Sequence, residues 1–295
     1  LPPGLDNREP FTPASIPACL AWYKADDNAS IEIEVGIPGT TSISLPLWED
    51  KSGNGHTATL AAGALTLIYD QINGLPVVVF ADNTYANISG NMYSKQQYVV
   101  FSLSNIGDWG SVLGSQTQSG YLLNHSGNMW NGNYPEAVRQ NGGAELSGNF
   151  QLSNIGNYMV VRITGNNNDT SVRSGWALGR QEGWGRIGMN LAEVISYDTT
   201  LSTAEEDKVI GYLAHRWGLA DNLPLSHPYK SSAPVSWDPS NLNPELWLDA
   251  NDTGFSKDHC VKTWKDLSGN GRNATAADFS SGPIVVPNQL NGKPF

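Results

Sequence analysis

The densest group of residues able to do chemistry is Trp48-x-Asp50-x-Ser52-Gly53-Asn54-Gly55. An aspartate followed closely by hydroxyl and amide side chains offers the hard oxygen donors that Ca²⁺ prefers. Asp26 and Asp27 would add two carboxylates to Asp50 and Asn54. The same residues also make a turn, because Asp and Asn side chains take up backbone N–H groups and Gly53 and Gly55 tolerate positive φ. A calcium site needs several oxygens converging on one point, whereas a turn needs only local hydrogen bonds. Both readings stand; the turn is the expectation, with Trp48 as a core anchor and Asp26, Asp27, Asp50 and Asn54 as the candidate calcium ligands.

Other reactive patterns are missing from the sequence. It contains no G-x-S-x-G, no H-E-x-x-H and no phosphate-cradling glycine loop. Cys19 and Cys260 are far apart and form no C-x-x-C pair, which excludes zinc-finger and dithiol motifs. A disulfide between them stays open, with two free, partly buried thiols as the expectation. His56 gives way to Arg272 in a second occurrence of the Asp-Ser-Gly-Asn-Gly motif, which argues against a required base or ligand there. His215 and His227 read as packing residues.

Binding chemistry is better represented. The chain carries 10 Trp and 11 Tyr, and Trp109, Trp130, Tyr134, Trp176 and Trp184 lie in segments rich in Gly and Asn. Aromatic faces stack on the C–H faces of sugar rings, and neighbouring Asn and Gln can bond hydroxyls, so these five are the candidate glycan-binding residues. The competing reading is that the rings cap sandwich edges or pack under long loops, as Trp commonly does.

Lys+Arg 17 against Asp+Glu 28 leaves a net charge of −11, and the basic residues are scattered. Nucleic acid needs a basic stripe to neutralise phosphates and is therefore excluded as a partner. No apolar run approaches the roughly 18 residues of a membrane-spanning helix, so no membrane insertion is expected. Charged residues make up only 15%, below the roughly 25% of an ordinary soluble domain, which calls for a surface polar through Asn, Ser, Thr and Gly. Such a surface suits neutral glycans and oxygen-ligated Ca²⁺.

The elements that must position these residues are mostly strands. Tyr98-Val99-Val100-Phe101-Ser102-Leu103, Tyr158-Met159-Val160-Val161-Arg162-Ile163 and Leu191-Ala192-Glu193-Val194-Ile195-Ser196-Tyr197 are β-branched and aromatic runs bounded by turn residues. Many such runs predict an all-β fold of two antiparallel sheets. One helix interrupts them. Ser202-Thr203-Ala204-Glu205 is a capping box, Val209, Tyr212, Leu213 and Trp217 form one apolar stripe, and Gly218 is the stop.

An internal repeat organises the chain. Ala21-Trp22, then Leu47-Trp48-Glu49-Asp50-Lys51-Ser52-Gly53-Asn54-Gly55, then Gln71-Ile72-Asn73-Gly74 return in order as Leu246-Trp247, Thr263-Trp264-Lys265-Asp266-Leu267-Ser268-Gly269-Asn270-Gly271 and Gln289-Leu290-Asn291-Gly292. The expected organisation is a linker or the tail of a preceding module over 1–16, a complete module over 17–232, a linker over 233–243, and over 244–295 the first part of a second module that continues past Phe295. The chain opens on Leu1 rather than Met, as an excerpted or processed chain does.

The motif Trp48-x-Asp50-x-Ser52-Gly53-Asn54-Gly55 and a second one, Ala192-Glu193-Val194-Ile195-Ser196-Tyr197-Asp198, Leu201-Ser202, Glu205, Gly211-Tyr212-Leu213-Ala214-His215-Arg216-Trp217-Gly218-Leu219, Leu223-Pro224 and His227-Pro228-Tyr229, resemble the bacterial and phage branch of the laminin-G-like/concanavalin A-like lectin superfamily. The resemblance covers residues 17–232 as a module and 244–295 as the opening of another. It implies a jelly-roll sandwich with one capping helix, presented in tandem on an extracellular, cell or virion surface. It leaves the function open, since the fold hosts lectins, adhesion modules, structural repeats and some hydrolases. The β-glucanases of the wider fold place two carboxylates on one strand face in an E-x-D-x-E pattern, which this chain lacks. Glu193 and Asp198 bracket a strand at odd spacing and must point to opposite faces. A non-enzymatic binding or adhesion module is therefore expected, directed at a glycan or surface polysaccharide and stabilised by calcium. The alternative is a structural or decoration protein of a virion or appendage, contacting neighbouring subunits.

Overall fold

The computed structural model describes residues 11–27, 31–32, 42–81, 83–104, 110–115, 123–125, 128–130, 137–146, 149–150, 152–165, 175–180, 187–234, 245–246, 248, 263–278 and 283. The chain divides into two compact units, Phe11–Pro234 and a second made of Leu1–Pro10 with Val235–Phe295. The larger unit starts ahead of the expected residue 17. Phe11, Pro13 and Ile16 are buried, with Phe11 meeting the edge of Tyr212 at 6.0 Å, so these three side chains pack into this unit while Thr12, Ala14 and Ser15 stay exposed. At the far end of the unit the Pro234 carbonyl accepts from the Phe11 N–H at 3.3 Å.

Its strands, in chain order, are β1 (Cys19–Lys24), β2 (Ile31–Glu32), β3 (Ser42–Ser44), β4 (Leu47–Trp48), β5 (Ala58–Ala62), β6 (Leu65–Ile72), β7 (Leu75–Phe80) and β8 (Tyr85–Ile88). There follow β9 (Gln96–Leu103), β10 (Gly110–Ser111), β11 (Leu113–Ser115), β12 (Leu123–His125), β13 (Asn128–Trp130) and β14 (Ala137–Gln140). The last are β15 (Glu145–Leu146), β16 (Asn149–Phe150), β17 (Met159–Thr164), β18 (Trp176–Leu178) and β19 (Met189–Tyr197), before the helix α1 (Thr203–Arg216).

Every pairing is antiparallel. One sheet runs β15-β14-β17-β9-β19-β7-β6-β3, with β1 also on β19, and the other runs β11-β18-β8-β5-β4-β2. Together they form an all-β sandwich with one helix. The long apolar runs read from the sequence are its central strands β9, β17 and β19. Strand β19 pairs with β9 along one side, while on its other side β7 takes Met189 to Leu191 and β1 takes Glu193 to Tyr197. A register shift between Leu191 and Glu193 marks the changeover, where the Ala192 carbonyl is left to accept from Ala25 N–H at 2.9 Å.

The burial pattern reveals a third layer. Strands β5 and β8 alternate buried and open positions, as a half-solvated sheet should, whereas every residue of β9 and β17 is buried. Helix α1 lies on β9 and β17 and covers their second face. It forms as the sequence predicts: Ser202 accepts from Glu205 N–H, Glu205 accepts from Ser202 N–H, and Gly218 ends it at φ +67°. Val209, Leu213 and Trp217 are buried, and Tyr212 half so.

After the helix the chain straps back over it. The Lys230 ammonium donates to the carbonyls of Ala220, Asp221 and Leu223 at 2.9–3.1 Å. Tyr229 lies so close to the helix that a Cβ on Gly211 would stand 2.5 Å from Tyr229 Cβ. That close approach explains a glycine inside a helix, where it otherwise costs about 1 kcal/mol against alanine.

The second unit contains one described hairpin, β20 (Thr263–Trp264) with β21 (Ala274–Thr275). Its register, Thr263 opposite Thr275 and Trp264 opposite Ala274, reproduces Leu47 opposite Thr59 and Trp48 opposite Ala58 in the first unit. The middle block of the sequence repeat is thus repeated in structure. No described helix is long and apolar enough to cross a membrane.

Candidate functional site

The Asp50 loop is a hydrogen-bonded turn tied to strand β1. Asp50 Oδ1 accepts from the N–H groups of Trp22 and Ser52, both at 2.8 Å, and Oδ2 from the Ser52 hydroxyl at 2.7 Å and His56 N–H at 3.1 Å. The Asn54 amide donates to the carbonyls of Cys19 and Leu20 at 2.9 Å, so the loop grips the start of β1. Gly53 and Gly55 sit at φ +89° and +77°, and their counterparts Gly269 and Gly271 at +87° and +71°. Asp266 repeats the bonds to Ser268 and residue 272, and the Asn270 amide grips the Glu245 carbonyl. Where His56 is replaced by Arg272, its guanidinium reaches the Glu245 side chain. The repeated unit therefore preserves a strand-gripping turn.

The other candidate ligands face cations of the protein itself. Asp26 pairs with Arg216 and with Lys24, and Asp27 with Lys51. Among the described residues no three His, Cys, Asp or Glu side chains gather as a metal-ligand group. Removing four bonds from a part-buried carboxylate leaves several donors unpaired. Asp50→Ala is accordingly expected to destabilise the fold by about 2–3 kcal/mol in urea titration; a change below about 0.5 kcal/mol would show that the loop does not hold β1.

Two buried carboxylates lie beneath the helix. Glu193 is fully enclosed. Its Oε1 accepts from Trp22 Nε1 at 2.6 Å and from the Tyr212 hydroxyl at 3.1 Å, and its Oε2 from Trp217 Nε1 at 2.6 Å. Burial pushes its pKa up to about 7, against the opposing pull of the two indoles, Lys24 and the tyrosine. Asp198 is exposed just past the end of β19, whose two faces are both buried. Trp22 joins the two sequence motifs: its N–H bonds Asp50 of the first and its indole bonds Glu193 of the second.

Glu206, also buried, sits near the start of α1 and meets Arg139 and Arg162, with Arg162 Nε 3.2 Å from Oε2. Gln96 donates to the same carboxylate at 3.3 Å, and Arg162 to Thr164 at 2.9 Å. Two basic side chains and an amide thus solvate one acid between helix and sheet, and the Thr164 hydroxyl accepts from Arg162 and Gln96 behind them, the form in which a buried charge is tolerated. The motif reading passed over this cluster. Its signal was Arg162 inside the apolar run of β17, where an unpaired guanidinium would not survive burial.

The remaining candidates are dispersed. Trp176 is buried at 1% exposure, and its indole donates to the Met92 carbonyl at 3.0 Å; the ring belongs to the core and has no face for a sugar. Trp130 is the last residue of β13, in a small sheet of order β10-β12-β13-β16. Trp109, Tyr134 and Trp184 lie outside the described residues, as does Cys260. Cys19 is a free, buried thiol whose pKa burial pushes up to about 12. The histidines tie chain segments together: His56 Nδ1 is 2.9 Å from the Ser89 carbonyl and His215 Nε2 is 2.8 Å from the Tyr229 carbonyl.

One end of the sandwich gathers the roots of the aromatic segments. Ser104 N–H donates to the Gly188 carbonyl at 3.0 Å, and in the chain these two residues stand shortly before Trp109 and shortly after Trp184. Beside them Leu103 N–H donates to the Ile155 carbonyl at 2.8 Å, and Trp130 pairs with Asn149 of β16, just ahead of that loop. The loop Leu152–Asn157 lines an open depression of about 540 Å³ edged by Ser153, Asn154 and Asn157. No protein-family model matches the chain, and no curated protein matches it in sequence.

Proposed function

We propose that the chain is a non-enzymatic extracellular module of the laminin-G-like/concanavalin A-like kind that binds glycans through one end of its sandwich. The observation that carries this reading is the open depression edged by Ser153, Asn154 and Asn157, at the end of the sandwich where Leu103 meets Ile155 and Ser104 meets Gly188. Stacking faces beside neutral hydrogen-bonding side chains suit an uncharged saccharide. Glu193 and Glu206, the buried carboxylates, are enclosed by the protein's own donors, which favours binding over hydrolysis.

Calorimetry against a panel of neutral and acidic saccharides tests the reading. The parent is expected to bind, and Trp130→Ala and Trp184→Ala each to weaken binding about tenfold, equivalent to roughly 1.4 kcal/mol. A parent that binds nothing across the panel would retire it in favour of a virion or appendage subunit, which the repeated hairpin also suits. Calcium enters the proposal as a stabiliser: a chelator that lowers the melting temperature of the parent but not of Asp50→Ala would assign it to the loop.

A further inference from the structure

Glu193 faces a small and closed set of groups. From β1 come Trp22 and Lys24, from α1 Tyr212, from the helix C-cap Trp217, and from its own strand Tyr197. Lys24 and the charges around it are paired among themselves: Lys24 with Asp26, Arg216 with Asp26, Lys51 with Asp27. Burial keeps Tyr197 and Tyr212 neutral by raising both hydroxyls well above their ordinary range.

The three bonded neighbours do not treat the two protonation states alike. The indole N–H groups of Trp22 and Trp217 can only donate, whereas the Tyr212 hydroxyl can donate or accept. An ionised Glu193 takes all three donors. A protonated one keeps both indoles and turns its proton to the Tyr212 oxygen, 3.1 Å away. Either form fits without moving a side chain. They differ in the cost of keeping the carboxyl out of water, which the ionised form bears more heavily.

We infer that Glu193 is a proton-operated latch on the end of helix α1: protonated, it holds the last helical turn against β1, and loss of the proton eases the undocking of that turn. Trp217 and Tyr212 are the two sides of the catch. Phe11, which packs on Tyr212, carries the effect to the point where the chain enters the unit.

The direction follows from linkage. An undocked carboxyl ionises near its ordinary 4.5, and the docked one near 7. The docked state therefore holds more protons between these values. The latch is fully tight below about pH 4.5, weakens as pH rises to about 7, and changes little above that.

Hydrogen exchange on the full chain, corrected for intrinsic exchange, reads the latch at the N–H groups of Trp217 and Leu219, which bond the carbonyls of Leu213 and Ala214. Their protection is expected to fall from pH 5 to pH 8, by on the order of a hundredfold at most. Glu193→Gln should flatten the profile, and Lys24→Met, which removes a cation favouring ionisation, should move its midpoint upward. A flat parent profile overturns the inference, as does a Glu193→Gln variant with the parent's slope. If Glu193→Gln does not fold, a Lys24→Met midpoint equal to the parent's overturns it.

Discussion

Trp217→Ala is expected to destabilise the protein by about 3–5 kcal/mol, near the top of that range. The ring is fully buried beneath the helix end, so its removal leaves a cavity that rigid sheet strands on one side and the strap on the other cannot collapse to fill. It also takes away the only bond described to Glu193 Oε2, and a buried carboxyl oxygen without its donor adds about 1–3 kcal/mol. Trp217→Phe separates the two effects, keeping most of the volume and losing the N–H. Denaturant titration should place the phenylalanine variant between parent and alanine. A Trp217→Ala protein that melts with the parent would mean that the helix is not held by its C-terminal end.

Glu206→Ala should be nearly as damaging, at about 3–5 kcal/mol, for a different reason. Little volume is lost, but Arg162, 4% exposed, is left with its charge facing mostly apolar β strands, and Arg139 loses its carboxylate. Among the described residues the other acid on Arg162 is Glu145, whose side chain is 58% exposed, and so open a pair contributes about 1 kcal/mol or less. A double replacement, Glu206→Gln with Arg162→Met, should recover much of the loss, because it removes the stranded charge along with its partner. If the single and double variants are equally unstable in urea, Glu206 acts by packing alone.

The parts of this fold that were legible in the sequence are those fixed by local chemistry. The capping box at Ser202, the glycine stop at 218 and the apolar runs of β9, β17 and β19 each depend on residues adjacent in the chain. The Asp-Ser-Gly-Asn-Gly turn does too in its own bonds from Asp50 to Ser52 and His56, whereas its grip on β1 through Trp22, Cys19 and Leu20 is long-range. What the sequence hid depends on partners far apart. Trp176 shares its glycine-flanked setting with Trp184, and only the pairing of β18 with β8 and β11 puts its ring in the core. Phe11 reads as part of a proline-rich tail until Tyr212 is seen above it. Glu193 reads as a lone acid in a strand, and its cage draws on β1, α1 and the helix cap at once. The stacking role proposed for Trp130 and Trp184 is decided by calorimetry.

The hydrogen bond between Phe11 and Pro234 brings both ends of the larger unit to one point. A chain under tension across such a unit gains almost no length from it while it stays folded. The load falls first on that single bond and the strap beside it, peeling contacts in sequence instead of shearing strands in parallel. Once that bond parts, the load passes on one side to the strap and on the other to Phe11 and, eight residues on, to β1 on the central strand β19, so the clasp between the two ends is the first guard of the sheet.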